Sequence, residues 1–275
     1  MRTRVGAVRY LLLSAFAFVG CRASEPRPSV TFLSVGQGDC TILQQGDEAI
    51  LIDAGPKVGS FDAGERIVRK RLRERGVARL RGILLTHDDS DHVGGAAALL
   101  RAFPGAVAWA GPKSRIPASP RVQRLEEAGK ITFGSFHVTW QFPAGADDDN
   151  SRSVLTSVRA EGLRLVLTGD APTGIEEEVL RLTEGTIDVY KAGHHGSKNS
   201  SSEELLSALK PRFVVVSCGA GNRYGHPHPD ALARFRAVGA KTLRTDREGD
   251  IEFRWDGKSW AVRTTPLDPV LSRGR

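Results

Sequence analysis

Thr86-His87-Asp88-Asp89-Ser90-Asp91-His92-Val93-Gly94-Gly95 puts two imidazoles and three carboxylates into one short loop. Gly82-Ile83-Leu84-Leu85-Thr86 before it reads as a short buried strand, and residues 94–103 after it read as a helix that opens on small residues. The loop therefore lies on a turn between two rigid elements. His87 and Asp89, two residues apart, can point at one cation, while Asp91 and His92 can turn toward a second beside it. The alternative is a solvated acidic turn that holds two histidines. Charges this close repel one another unless a cation lies among them, which favours the metal reading.

Three further clusters follow apolar runs, where loops can reach the same rim. Asp170 closes Leu165-Val166-Leu167-Thr168-Gly169-Asp170, with Gly169 permitting close backbone approach, and a carboxylate there can bridge two cations. Lys191-Ala192-Gly193-His194-His195-Gly196-Ser197 sets paired histidines ahead of Gly-Ser. In Tyr224-Gly225-His226-Pro227-His228-Pro229 the proline after each histidine favours an extended backbone that aims the ring. One loop histidine is more often a surface residue than a ligand. Five of the seven histidines standing after strand-like runs, beside matching aspartates, argue against coincidence.

The remaining chain alternates strands and helices without a break long enough to separate domains. Residues 29–35, 41–45 and 48–52 read as strands, the last running into Asp53-Ala54-Gly55, and residues 62–74 as a basic amphipathic helix whose arginines form a solvated face. Strands are expected over 106–110, 131–142 and 153–168, with a Pro-rich connection at 112–120. Helices at 175–182, 203–209 and 230–238 then alternate with strands at 187–190 and 213–217, and 241–244, 250–255 and 260–264 close the chain. Two halves, each with strands first and helices after, predict two sheets packed face to face with helices outside.

The 275 residues are 40% hydrophobic and 26% charged, the balance of a globular protein with one large core. Residues 1–20 stand apart. Arg2, Arg4 and Arg9 form a positive start, residues 10–19 an apolar run of secretory length, and Phe18-Val19-Gly20 leads into Cys21. This resembles a bacterial lipoprotein signal, with Phe18 where leucine is usual. The expectation is cleavage before Cys21, lipid on Cys21 and attachment to a bacterial membrane on its periplasmic or cell-surface side; an ordinary signal peptide or an uncleaved anchor is the alternative. Without residues 1–20 the formal charge falls from +7 to +4, which permits a polyanionic substrate without demanding one. Cys40 and Cys218 are expected as buried free thiols, with a disulfide between them as the alternative. Neither has a neighbouring cysteine at zinc spacing, which excludes a structural cysteine zinc site.

The sequence resembles the metallo-β-lactamase-fold hydrolases and, within them, the extracytoplasmic hydrolase domain of the ComEC DNA-uptake proteins. The resemblance rests on Val35-Gly36-Gln37-Gly38-Asp39, Leu51-Ile52-Asp53-Ala54-Gly55, the Thr86 to Gly95 loop, Ser153-Val154-Leu155 after Asn150, Leu167-Thr168-Gly169-Asp170, His194-His195-Gly196-Ser197 and Tyr224-Gly225-His226-Pro227. It implies an α/β, four-layer αββα sandwich with metals at one edge between the sheets, in a stand-alone form without the membrane channel of those proteins. The organisation expected is a signal at 1–20, a tether at 21–28, the hydrolase domain at 29–265 and a tail at 266–275.

Carried onto this chain, the resemblance makes His87 and Asp89 ligands of one metal, Asp91 and His92 ligands of the other, and Asp170 the bridge. His226 and His194 are further ligands, with Asp91 and His195 as the catalytic pair; His194 and His195 can exchange parts. Asp53 is expected to orient a ligand from behind or to cap its turn. Lys191, Lys198 and Arg223 are expected to neutralise substrate charge, Ser197 to meet substrate, and His228 to be exposed. Asp89 stands where the wider superfamily commonly has histidine. The histidine usual between the loop and the bridging aspartate is missing, since His137 in Phe136-His137-Val138 reads as packed or surface; water or Asn150 is left for the first metal. Two divalent ions, zinc first and manganese second, would activate water and neutralise phosphoryl charge. The leading reading is a phosphodiesterase or nuclease acting on DNA or another phosphodiester, with no protein partner inferred. Beside it stand a phosphocholine esterase or lactonase and a non-catalytic binding protein, while Asp89 disfavours a β-lactamase. The sequence shows no aromatic-interleaved groove for stacking single strands.

Overall fold

Ile50-Leu51-Ile52, Ile83-Leu84-Leu85 and Leu165-Val166-Leu167 are apolar at every position, a pattern strands adopt when both of their faces are buried. The computed structural model, which describes residues 26–267, shows where each face goes. Ile50, Ile52, Leu84, Leu165 and Leu167 meet in one core between two sheets. Leu51, Ile83 and Leu85 point the other way, into a second core with Val68, Leu72 and Leu99. Val166 likewise joins Tyr190, Leu205, Leu206 and Phe235 in a third.

Among the described residues, one sheet runs in the order Trp260–Thr265, Asp250–Trp255, Pro28–Phe32, Thr41–Gln45, Glu48–Ile52, Arg79–Leu85, Val107–Ala110 and Val122–Arg124. The other runs Lys241–Arg244, Phe213–Val216, Val189–Lys191, Leu163–Leu167, Leu155–Ala160, Phe136–Gln141 and Gly129–Phe133. Helices Arg69–Glu74 and Ala96–Ala102 cover the first sheet, and Glu176–Leu182, Glu203–Leu209 and Pro229–Ala237 cover the second. These are the four αββα layers expected.

Several details depart from the strand and helix pattern read in the sequence. The strands expected over residues 131–142 form a hairpin that turns at Gly134-Ser135, with Phe133 paired to Phe136 and Gly134 at φ 54°. The Pro-rich connection ends in an edge strand, Val122–Arg124, parallel to Val107–Ala110. The arginines of the basic helix are more than a solvated face: Arg71 Nε lies 2.9 Å from Asp250 Oδ2, and Arg75 Nη1 lies 2.7 Å from Glu252 Oε1. Those carboxylates belong to a closing strand that crosses back to the first sheet, pairing Thr31 with Glu252 and Phe32 with Ile251. Cys40 and Cys218 are buried free thiols. The expected signal and Cys21 lie outside the described residues, and among these no helix is long and apolar enough to cross a membrane.

The returning strand brings Phe253 between the sheets. Its ring stands edge-on to Phe32 of one sheet at 6.1 Å and to Phe213 of the other at 5.4 Å. Phe253→Ala is therefore expected to lower the unfolding free energy by about 3–5 kcal/mol in a urea titration. A loss under about 1 kcal/mol would show that the contact between sheets does not depend on this ring.

Candidate metal centre

Parallel strands in α/β sheets present their carboxyl ends along one edge, and loops leaving that edge form the sites. Glu48–Ile52 and Arg79–Leu85 are parallel neighbours in one sheet, as are Leu163–Leu167, Val189–Lys191 and Phe213–Val216 in the other. Asp53, the loop holding His87 to His92, Asp170 and His194-His195 all leave these strand ends. Backbone bonds stitch the loops together: Ala54 N–H donates to His92 O at 2.7 Å, Val154 N–H to Thr86 O at 2.8 Å and His194 N–H to Gly169 O at 3.1 Å. Close approach explains two glycines. A Cβ on Gly38 would lie 2.3 Å from Asp91 O, and one on Gly169, at φ 54°, would lie 2.9 Å from Ser153 Oγ.

Asp170 is the hub. Its carboxylate, 3% exposed, has His92 Nε2 at 3.1 Å, His194 Nε2 and His195 Nε2 each at 3.6 Å and His87 Nε2 at 3.9 Å. Its backbone N–H is held by Ser153 Oγ at 3.1 Å. Asp89 Oδ2 stands 3.6 Å from His87 Nε2 on one side, and Asp91 Oδ2 stands 3.2 Å from His195 Nε2 on the other. Asp91 and His92 are carried by a single helical turn, Ser90–Val93. His194 and His195 sit in the left-handed region at φ 46° and 54°, a local strain that the surrounding packing maintains.

The groups behind the rings settle the tautomers. His92 Nδ1–H donates to Asp53 Oδ2 at 2.7 Å, and the Thr86 hydroxyl and N–H donate to the same carboxylate. With its proton on Asp53, the Thr86 hydroxyl accepts from His87 Nδ1–H at 3.1 Å. His195 Nδ1–H donates to Ser217 O at 3.0 Å. When neutral, all three rings consequently aim an Nε2 lone pair at Asp170.

Residues 33–220 match the family model described as the Metallo-beta-lactamase superfamily. The chain belongs to the metallo-β-lactamase superfamily. It is 31% identical over 269 residues to ComE operon protein 3 of Bacillus subtilis (strain 168), covering 86% of this chain and 34% of that protein. It is 32% identical over 246 residues to Competence protein ComA of Neisseria gonorrhoeae, covering 88% and 35% respectively. The chain thus spans about a third of the length of these curated relatives. The superfamily fold protein YhfI from Bacillus subtilis matches at a TM-score of 0.55 and 11% identity, covering 87% of this chain and all of that one, a likeness of fold alone.

The residues present fit the divalent ions that the superfamily fold implies. Buried His87 Nε2, His92 Nε2, Asp170 Oδ1 and His226 Nδ1 have no hydrogen-bond partner among the described residues, so the 3.1 Å approach of His92 to Asp170 is close without being a hydrogen bond. Atoms each about 2.0–2.2 Å from a shared ion lie at such mutual distances. Protonation tells the same story. Burial lowers His195, but Asp170 and Asp39 outweigh it and push the ring up to about 10. His92 is raised well above its usual value because Asp170 and Asp53 outweigh its burial. Burial alone would raise Asp170; His92 and His195 hold it well below the carboxylate range. His226 is lowered to about 4 by burial and then by His195 and His194. The carboxylates demand positive charge at the hub, which protons or cations can supply.

Asp39 is the residue that sequence reasoning missed as part of the centre. It is buried, with Oδ1 3.4 Å from His195 Nδ1 and Oδ2 2.8 Å from Lys191 Nζ, and it groups with His92, Asp170 and His195. It faces the Nδ1 side of the rings, behind their inward nitrogens. The signal was its place in Val35-Gly36-Gln37-Gly38-Asp39, one of the motifs on which the resemblance rests. Lys191 must be corrected accordingly. Its buried ammonium is taken up by Asp39 and by Ala192 O at 2.9 Å, so it does not face a substrate.

Other expected site residues also turn elsewhere. Ser197 is buried, with its Oγ accepting from Asn199 N–H, and so braces a turn. Asn150 offers its backbone carbonyl to the N–H of Ser153, whose Oγ in turn accepts from Asp170 N–H, so it reaches the hub only through Ser153. His137 is exposed on its strand, with its ring near Thr132. His228 is half-buried and caps the helix Pro229–Ala237 by accepting from Asp230 N–H. Between the paired histidines, His195 is buried and His194 lies at the rim with a third of its side chain exposed.

Two measurements follow from these contacts. Asp53→Asn turns one of the two acceptor oxygens shared by Thr86 and His92 into a donor, and titration calorimetry should show zinc affinity about 10–100-fold lower with the fold intact; unchanged affinity would deny Asp53 that part. Lys191→Met leaves Asp39 buried without its cation. Denaturant unfolding is expected to show a loss of about 3–5 kcal/mol, and a stability gain would mean the pair is not needed.

Proposed function

We propose that this chain is a two-metal phosphodiesterase, similar in role to the hydrolase domain of the ComEC proteins, acting on DNA or another phosphodiester outside the cytoplasm. The observation that carries this reading is Asp170, which has four imidazole nitrogens around it and Asp89 and Asp91 to its two sides. His87 and Asp89 would hold one ion, His92, His195 and Asp91 the other, and Asp170 would serve both. Mixed imidazole and carboxylate ligation suits zinc, and the carboxylate share keeps manganese eligible. Ions bound there lower the pKa of water toward neutrality and neutralise phosphoryl charge.

The chain's own groups supply position. His195, buried with Nδ1–H fixed on Ser217, serves as ligand, and His194 at the rim takes the substrate-facing part, an exchange of the two roles expected from the sequence. Burial lowers the His194 pKa, so its ring is neutral at neutral pH and can donate one N–H to a phosphoryl oxygen. Asp91, a third exposed and against His195, can orient the attacking water. His226 closes the centre from the Tyr224 loop, its ring 5.5 Å from that of His194. Export and lipid on Cys21 would hold this edge at a bacterial membrane surface, with Cys21→Ser shifting the protein to the soluble fraction.

Protein stripped of metal and reloaded with zinc or manganese should hydrolyse bis-p-nitrophenyl phosphate and single-stranded DNA. Asp170→Asn should lower that turnover by about 10²-fold or more. Hydrolysis of nitrocefin with no phosphodiester cleaved would overturn the reading, as would full metal occupancy without turnover of any phosphodiester.

A further inference from the structure

Tyr224 keeps 55% of its surface exposed although it stands at the rim of the centre. Its ring is stacked on His226, with centroids 5.9 Å apart and planes inclined by 24°, and His226 in turn lies 5.5 Å from His194 and 6.4 Å from His195. A continuous series of rings thus leads from the hub out to solvent. Arg223 lies over the tyrosine ring, its guanidinium carbon 5.0 Å from the ring centroid and its Nη2–H donating to the hydroxyl at 2.9 Å. Among the described residues Arg223 makes no ion pair with a carboxylate, which sets it apart next to so acidic a centre.

The loop is held in shape before anything binds. Asn222 Nδ2 donates to Gly219 O at 2.9 Å and to His226 O at 2.6 Å, while its Oδ1 accepts from Tyr224 N–H at 3.2 Å and His226 N–H at 3.0 Å. An aromatic face fixed in this way can be used without an ordering cost.

We propose that Tyr224 and Arg223 form a stacking platform for a nucleobase of a single-stranded nucleic acid, beside the phosphodiester held at the centre. This rests on the phosphodiesterase reading above and narrows its substrate class. The planes of the ring and of the guanidinium over it accept any base, and the guanidinium charge also serves phosphate, so the platform tolerates sequence. Paired bases inside a duplex cannot reach it. A quaternary ammonium headgroup would need enclosing rings without a competing cation, whereas Tyr224 carries Arg223 next to it; the phosphocholine alternative is disfavoured on that ground.

The test measures equilibrium binding by the metal-loaded full chain of two phosphorothioate strands of equal length, one oligothymidylate and one abasic. The wild type should bind the base-bearing strand about tenfold more tightly. Tyr224→Ala should abolish that difference and Tyr224→Phe should keep it, while Arg223→Ala should weaken both strands and flatten their salt dependence. Equal affinity for the two strands, or a base preference that survives Tyr224→Ala, overturns the platform. Hydrolysis of bis-p-nitrophenyl phosphate is followed in parallel so that the two ideas fail separately. Turnover without base preference removes the platform and leaves the phosphodiesterase; Tyr224-dependent base preference without turnover of any phosphodiester does the reverse.

Discussion

Four imidazole nitrogens converge on one buried carboxylate, and at least three of them approach it with a lone pair rather than a proton when the rings are neutral. Lone pairs directed at an anion repel it. The arrangement holds together only when positive charge occupies the space between them, and the rest of the edge is built to keep that space. Asp53, Thr86 and Ser217 take the outward protons, and the loops are bonded to one another rather than left to water. Such fixed acceptors restrict each ring to one tautomer and one orientation, which is how outer groups tune a centre.

Charge balance extends one layer further out. Asp39 backs His195, and Lys191 balances Asp39, so an anion-rich core reaches its cation without placing that cation in the cleft. A lysine facing the cleft would have offered the hub a competing cation. Buried behind the rings, it stabilises Asp39 and leaves the hub to the side chains of the rim.

The layers of the fold were legible because strands buried on both faces are apolar at every position, and the hub because its histidines and aspartates follow those strands directly. Residues at carboxyl ends of parallel strands need no long-range knowledge to be placed on one edge. The return of Asp250–Trp255 to the first sheet was not legible, since its alternation fits the edge of either sheet and is decided by Phe253 meeting Phe32 and Phe213. Asp39 with Lys191 escaped for a related reason. Each looks ordinary in its own motif, and only tertiary packing brings the ammonium to the carboxylate. The roles of His194 and His195 stayed open because neighbouring residues in left-handed backbone conformations diverge in ways that spacing does not encode.

Asp89 distinguishes the two sides of the hub. Its carboxylate is about half exposed and meets His87 at 3.6 Å, whereas Asp91 is better shielded and meets a fully buried His195 at 3.2 Å. An ion beside Asp89 would keep more contact with solvent than one beside Asp91, so the two positions differ in their exchange with water and in the donors left open. An exposed position suits exchange with incoming groups, and a shielded one suits holding the side-chain geometry constant. The asymmetry of two aspartates within one loop therefore gives the edge a direction, with the incoming group expected over Asp89 and the fixed framework behind Asp91.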